Sequence, residues 1–349
     1  MARFAALDDR FPTAGRGVLT RRTLLASTLA TIGTGELFSS VGQLSGRATA
    51  AEPAKDEPGR APTLSLGFGA YALKSFRTEE AIDLVAAAGY DSIELCLLPD
   101  FDAAPEKLTA ERRQAIRERL AEKSLILSSL MENLVLAVDD APHQKNLARL
   151  NAAFELSHDL GGDEPPLVQT VLGGPAGKWP EVRERFVARL RDWVKAASAA
   201  GVTLAVKPHR MNAMSTPAEF VAVAEELGNP ASLKMVFDWS HYAYRGLDLD
   251  QQLKLARPYL AHVAVKDAIE RDGKVEFVLP GAGGPAAGDY VALLQGLIKN
   301  GYAGDVSVEV SGQLWRAPGY DPRAALKQSY DFLAAQFTKA NIPRKRLKK

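Results

Sequence analysis

Four short segments in the second half of the chain hold the side chains best suited to polar chemistry. They are Lys207-Pro208-His209-Arg210, Asp238-Trp239-Ser240-His241, His262 with Lys266-Asp267 close behind, and Glu309 followed by Ser311, Gln313 and Arg316. Glu94 stands alone earlier in the chain. Asp238, Glu309 and His262 together supply hard oxygen donors and one nitrogen. That set suits Mn, Mg, Co or Zn, with positions left open for substrate hydroxyls. A divalent ion bound by two neighbouring substrate oxygens would lower their proton affinity and stabilise an enediolate. His209, His241 and Glu309 are the groups for acid–base work. Glu94, Arg210, Trp239, Lys266 and Arg316 are the candidates for holding a substrate, the arginines through a fork-shaped grip on an anion and the indole through an apolar face. An Asp-x-x-His spacing is common by chance, so the elements carrying these groups decide whether they meet.

From Leu64 onward, short β-branched or apolar runs alternate with longer segments of helical period. Strands are expected at Leu64–Gly69, Ser92–Leu95, Leu125–Leu130, Leu167–Val171, Val202–Val206, Leu233–Phe237, Ala261–Val265 and Val306–Val310. Helices are expected to begin near Thr78, Thr109, Ala141, Pro180, Thr216, Leu249, Asp289 and Asp321. Thr216-Pro217-Ala218-Glu219 carries a hydroxyl cap, a proline at the first helical position and a glutamate at the third, a capping-box pattern. Strand–helix alternation of this kind specifies a parallel sheet with right-handed crossovers. The length favours an α/β fold closed as a (β/α)8 TIM barrel, and no Gly-x-Gly-x-x-Gly follows the first strand. In such a barrel chemistry sits at the C-terminal ends of the strands, where the four segments fall. His143 and His158 lie on the expected third helix, where a histidine usually faces solvent, and are assigned no role. Cys96 reads as a small buried apolar residue.

The chain resembles the xylose isomerase-like TIM-barrel superfamily, with its sugar phosphate isomerase/epimerase members, from about Leu64 to Phe337. The resemblance rests on Leu204-Ala205-Val206-Lys207-Pro208-His209, Val236-Phe237-Asp238-Trp239-Ser240-His241, His262-Val263-Ala264-Val265-Lys266-Asp267 and Val306-Ser307-Val308-Glu309. Gly67-Phe68-Gly69-Ala70-Tyr71 and Ile93-Glu94-Leu95 also fit. Ketose epimerases of this kind hold a divalent metal with Glu, Asp, His and Glu on strands five to eight. Carried over, those positions are Lys207, Asp238, His262 and Glu309. The resemblance also implies that His241 touches substrate or metal and that His209 lies beside the substrate.

Lys207 departs from that pattern, placing a cation where a glutamate ligand is expected. Three readings follow. Asp238, His262 and Glu309 still hold a metal with His241 or water; or the Lys207 ammonium takes the cation's place; or Lys207 has a depressed pKa and forms a Schiff base. The implied activity is sugar isomerisation or epimerisation through an enediolate. A keto-sugar lyase or hydratase using Lys207 and a sugar-binding barrel without chemistry are the alternatives.

The 349 residues are 46% hydrophobic and 24% charged, with a formal net charge of +1. This is ordinary globular composition with no basic field for nucleic acid. The single cysteine forbids an internal disulfide, so a core must supply stability. Thr20-Arg21-Arg22-Thr23-Leu24-Leu25 before an apolar stretch, with Ala48-Thr49-Ala50 beyond, resembles a twin-arginine signal cleaved after Ala50. Residues 1–50 are thus expected to be a leader read by the twin-arginine export machinery, 51–62 a linker, 63–340 a catalytic domain and 341–349 a solvated basic tail. The expected location is the periplasm. The apolar stretch is too short for a stable membrane span. Without the leader, 37 basic and 39 acidic residues leave a net charge near −2. The glycine-rich runs Leu172–Gly177 and Gly281–Pro285 are expected to be lids or anion cradles.

Overall fold

The computed structural model of the chain describes residues 62–136 and 139–347, so the expected leader and nearly all of the expected linker lie outside the described residues. Eight parallel strands close a barrel: β1 (Ser65–Gly69), β2 (Ser92–Cys96), β3 (Ile126–Met131), β4 (Leu167–Thr170), β5 (Leu204–Val206), β6 (Leu233–Asp238), β7 (Leu260–Val265) and β10 (Asp305–Val308). The order around the barrel is β1-β10-β7-β6-β5-β4-β3-β2. Helices α1 (Thr78–Ala87), α2 (Ala110–Lys123), α3 (Asp140–Gly161), α4 (Trp179–Ala200), α5 (Pro217–Glu226), α6 (Leu249–Ala256), α7 (Tyr290–Lys299) and α9 (Pro322–Ala340) follow the successive barrel strands. A single turn, α8 (Gly312–Trp315), precedes α9.

The local chemistry accounts for these boundaries. Thr216 accepts from the Glu219 N–H while Glu219 reaches back to the Thr216 N–H, so the capping box forms as its sequence dictates. Asp248, Asp289 and Asp321 cap α6, α7 and α9 with their side-chain oxygens. Outward-facing strand residues such as Leu66, Phe68, Leu204, Phe237 and Val263 join the main apolar core under the helices. The inward-facing Ala205, Val236 and Ala264 form a separate small apolar cluster. The first strand gives the barrel interior almost no side chain. A Cβ on Gly67 would stand 2.6 Å from Asp305 Oδ2, and one on Gly69 would stand 3.2 Å from Glu94 Oε1. Glycine there leaves room for carboxylates from β2 and β10.

Three features depart from expectation. Strands β8 (Asp267–Arg271) and β9 (Lys274–Val278) form an antiparallel hairpin between β7 and α7. Its two-residue turn is Asp272-Gly273, with φ of 51° and 71°. That is the Asp-Gly signal of a tight hairpin, whose central residues need positive φ. The basic tail is not simply solvated. Arg344 pairs with both oxygens of Asp91 at 2.7 and 2.8 Å and donates to the Gly89 carbonyl, and the Lys345 N–H donates to the Leu64 carbonyl at 2.8 Å. Nor is His143 a solvent-facing helix residue. It is buried, with Nε2 2.9 Å from Asp192 of α4.

Candidate active site

Lys207 follows β5, Asp238 ends β6, Lys266 follows β7 and Glu309 follows β10, so four neighbouring strands deliver one charge each to the C-terminal mouth. The ladder continues one step past the strands to hold them. The Lys207 N–H donates to the Thr170 carbonyl at 2.9 Å, and the Glu309 N–H to Val265 at 3.0 Å. The charges alternate around a ring. Lys207 Nζ donates to Glu309 Oε2 and stands 3.7 Å from Asp238 Oδ2. Lys266 Nζ donates to Asp238 Oδ2 and, at 2.8 Å, to Glu309 Oε1. All four are buried or nearly so, with the Glu309 side chain the most open at 13%.

Burial opposes charge on Lys207, Asp238 and Glu309, and the neighbours overcome it. Burial alone would lower the Lys207 pKa, but Glu309 and Asp238 hold it above the ordinary lysine value. Burial would raise Glu309, yet Lys207 and Lys266 hold its carboxyl well below the usual range. Asp238 is likewise held low, against burial, chiefly by Lys266 and His241. Lys207 is therefore a charged ammonium, and the depressed pKa that a Schiff-base lysine needs at neutral pH is not provided here.

Two imidazoles complete the centre. His241 is buried on the short turn after β6, with Nε2 3.3 Å from Asp238 Oδ2. Burial lowers its pKa to about 4 despite Asp238. His209 lies with its ring centroid 4.1 Å from that of His241. Burial, then His241 and the two lysines, push it well below the ordinary histidine value. Both rings are thus neutral at pH 7. His209 Nδ1 accepts the Met211 N–H at 3.1 Å, which leaves the ring proton on Nε2.

Lys207, His209, Lys266 and Glu309 open onto a cavity of about 340 Å³. Tyr71, Asn133, Val171, Met211, Asn212, Phe277, Ser311, Gln313 and Arg316 line the rest. Phe277 comes from the β8–β9 hairpin. Its ring centroid is 5.1 Å from Lys266 Nζ and 5.5 Å from the His241 ring, and its N–H donates to Gln313 Oε1 at 2.9 Å. Arg316 lies over the Trp315 ring at 4.7 Å. Arg210 packs between Tyr244 and Phe277 and does not line the cavity. Trp239 is absent from the lining too; its indole stacks 6.3 Å from Phe237. Asn133, Asn212 and Phe277 were not expected from the sequence. The asparagines sit in loops after β3 and β5, where barrel chemistry gathers, and the Asp272-Gly273 turn is the signal for Phe277.

His262 and Glu94 do not join this centre. In the β6–β7 register Val236 pairs with His262 and Asp238 with Ala264. His262 therefore sits two residues, about 6.6 Å, below Asp238 along the barrel. Its Nε2 is 3.3 Å from Glu94 Oε2 and its Nδ1 4.0 Å from Asp305 Oδ2. Glu94 also accepts from Ser129 at 2.6 Å and from Gln169. Asp305 accepts from Ser65 at 2.7 Å and from Ser92. The expected ligand set of Asp238, His262 and Glu309 is thus split between two levels, and Lys266 holds the β7 position facing the two carboxylates. Among the described residues no group of three or more His, Cys, Asp or Glu is placed to hold a metal ion. A divalent cation does not fit the mouth residues. Two ammonium groups already occupy the space between the carboxylates, and their like charge opposes its entry.

Asp267 turns away from the mouth. Its carboxylate accepts the N–H groups of Gly281 and Gly283, both at 2.8 Å, and the Tyr290 hydroxyl at 2.7 Å. The second glycine-rich run is therefore anchored by a side chain. Cys96 is buried beside Phe101 and Met131, as a small apolar residue should be.

Comparison with known proteins agrees with this architecture. L-ribulose-5-phosphate 3-epimerase UlaE of Escherichia coli (strain K12) is 25% identical over 274 residues, covering 75% of this chain and 91% of the epimerase. The solved structure of 3-keto-D-glucoside 4-epimerase YcjR from E. coli superposes with a TM-score of 0.59 at 18% identity, covering 79% of this chain and 99% of that one. The IolI protein, solved with a binding zinc atom, superposes with a TM-score of 0.65 at 19% identity over 79% of this chain and 99% of its own. The family model described as "Xylose isomerase-like TIM barrel" matches residues 82–336. With a closed eight-stranded barrel and a match over more than half its length, the chain belongs to the xylose isomerase-like TIM-barrel family.

Proposed function

We propose that the chain is a carbohydrate isomerase or epimerase that moves a proton on the carbon next to a keto-sugar carbonyl, through an enediolate. The observation carrying this reading is the cavity floor, where Glu309, charged lysines and a neutral His209 face one sugar-sized space. Glu309 is the only carboxylate among the described lining residues, so it is the group placed to take the proton. His209, with its proton on Nε2, donates to the carbonyl oxygen as charge develops there. Tyr71 and Phe277 offer aromatic faces to the apolar side of a sugar ring, and Arg316, Asn133 and Gln313 offer hydrogen bonds at its edges.

UlaE is named for a ribulose phosphate and YcjR for a 3-keto-glucoside, so keto-pentoses, keto-hexoses and keto-glycosides, with and without phosphate, are the substrates to try. Export by the twin-arginine pathway, supported by Arg21-Arg22 and Ala48-Thr49-Ala50, would favour the unphosphorylated members; fractionation of cells expressing the full chain checks it. The enzyme reading is tested by incubating the protein with each sugar in heavy water. Deuterium should enter next to the carbonyl as the isomer forms, and Glu309→Gln should abolish it. Exchange with no member of the panel, or exchange undiminished in Glu309→Gln, rejects the reading. Elimination of the aglycone from a keto-glycoside would instead identify a lyase.

A further inference from the structure

The mouth of the barrel carries two carboxylates, Asp238 and Glu309, with the ammonium groups of Lys207 and Lys266 between them. In the ligand pattern implied by the sequence resemblance, β5 and β7 would add a glutamate and a histidine, and the four would surround a doubly charged cation. Here β5 gives Lys207 and the facing position after β7 gives Lys266. Two positive charges thus stand among the same two carboxylates on the same four strands. The arrangement is neutral as it stands, and a divalent ion would bring two unbalanced charges into a buried site.

We propose that the Lys207–Lys266 ammonium pair replaces a divalent cation as the electrophile of this site, which works without metal. The inference rests on the carbohydrate reading above. Each ammonium has three N–H donors. Lys266 spends two on Asp238 and Glu309, and Lys207 spends one on Glu309 while standing 3.7 Å from Asp238. Both line the cavity, so each keeps at least one N–H for a substrate oxygen. Two adjacent oxygens of an enediolate would meet two adjacent ammonium groups. Compact point charges suit that task better than the broad guanidinium of arginine.

Metal content of the resting full chain tests the pair without any substrate. The protein is dialysed against zinc or manganese, washed, and analysed for bound metal, with thermal melting followed in parallel. The parent should hold no stoichiometric metal and melt at the same temperature with metal or with chelator. Lys207→Glu combined with Lys266→His should take up one equivalent and melt higher when metal is present. One tightly held equivalent in the parent overturns the inference, as does a folded double variant that binds none. Should the double variant not fold, the parent's metal content decides, and Lys266→Gln, expected to lose at least a hundredfold in turnover with no gain from added metal, supplies the second reading; rescue of Lys266→Gln turnover to the parent rate would overturn the assignment of Lys266. A sugar panel that yields no turnover would sink the carbohydrate reading and leave the metal result standing.

Discussion

His262 Nε2 lies 3.3 Å from Glu94 Oε2, one strand repeat below the ring of lysines and carboxylates. The contact belongs to a polar layer inside the barrel in which Ser129 and Gln169 also bind Glu94, and Ser65 and Ser92 bind Asp305. Leaving a buried polar group without its partner costs about 1–3 kcal/mol, because its lost hydration is not compensated. Glu94→Ala and His262→Ala should therefore lower unfolding free energy by a few kcal/mol on that scale, while Glu94→Gln, which keeps shape and hydrogen bonds, should lose less. Denaturant unfolding measures this. A His262→Ala protein of parental stability would show that the layer holds no energetic role.

Lys266 bridges Asp238 and Glu309, so its loss should be felt in chemistry and in stability alike. Removing one donor aimed at a developing oxyanion typically costs about 10²–10³ in kcat. Lys266→Met is expected to fall in that range with little change in KM, since the ammonium acts mainly where charge develops. A KM defect with normal kcat would assign Lys266 to ground-state binding instead.

The fold was legible because the barrel strands announce themselves by β-branched or apolar runs, and α2, α5, α6, α7 and α9 by a capping side chain such as Thr216 or Asp289. The mouth residues Lys207, Asp238, His241 and Glu309 were legible for the same reason, lying at strand ends. His262 was misplaced because alternate residues from 262 to 266, in and just past β7, point into the barrel at different heights, and sequence alone does not fix which height meets Asp238. A sugar-isomerase pattern favours the histidine; the β6–β7 register sets Asp238 level with Ala264, and the long Lys266 side chain just beyond reaches both carboxylates. Phe277 was missed because the hairpin interrupts the strand–helix beat, although Asp272-Gly273 marks its turn.

Acid should destabilise the protein through its buried imidazoles. The His241 pKa is about 4 in the fold and 6.5 in an unfolded reference, so above pH 6.5 neither state carries the proton and stability is complete. Between 6.5 and 4 the unfolded chain takes up the proton first, and stability falls by about 3 kcal/mol across that window. His209, shifted in the same direction, adds to the slope. Urea midpoints at pH 7 and pH 5 should differ, and His241→Asn should flatten the difference. An equal slope in the variant would place the acid sensitivity elsewhere.

Arg344 ties the chain's end to the bottom of the barrel through both oxygens of Asp91, the Gly89 carbonyl and the Tyr330 hydroxyl. Hydrogen bonds to charged groups contribute about 1.5–3 kcal/mol each at most, and the group is not additive. Arg344→Ala, or a chain ending at Pro343, should unfold at lower denaturant with a loss of about 2–3 kcal/mol. Arg346 stands 3.0 Å from Asp91 but is far more exposed, so Arg346→Ala should cost well under 1 kcal/mol. Equal losses in the two variants would contradict the staple.

Phe277 is held over the mouth by a hairpin closed by the tight Asp272-Gly273 turn. Its ring sits above Lys266 and against His241, and its N–H is fixed by Gln313 on α8. Such a ring does two things. It gives a sugar an apolar face, and it keeps water off an ammonium that must stay available to substrate oxygen. Phe277→Ala should therefore raise KM for a keto-sugar by roughly tenfold, about 1.4 kcal/mol, and Phe277→Tyr should restore most of it. Gln313→Ala, which leaves the ring but frees the hairpin and removes one hydrogen-bonding group from the cavity wall, should give a smaller shift. Steady-state kinetics on the three variants checks the order, and a Gln313→Ala effect equal to or above that of Phe277→Ala would show that the bonds of Gln313, to the hairpin and to the sugar, outweigh the contact made by the ring.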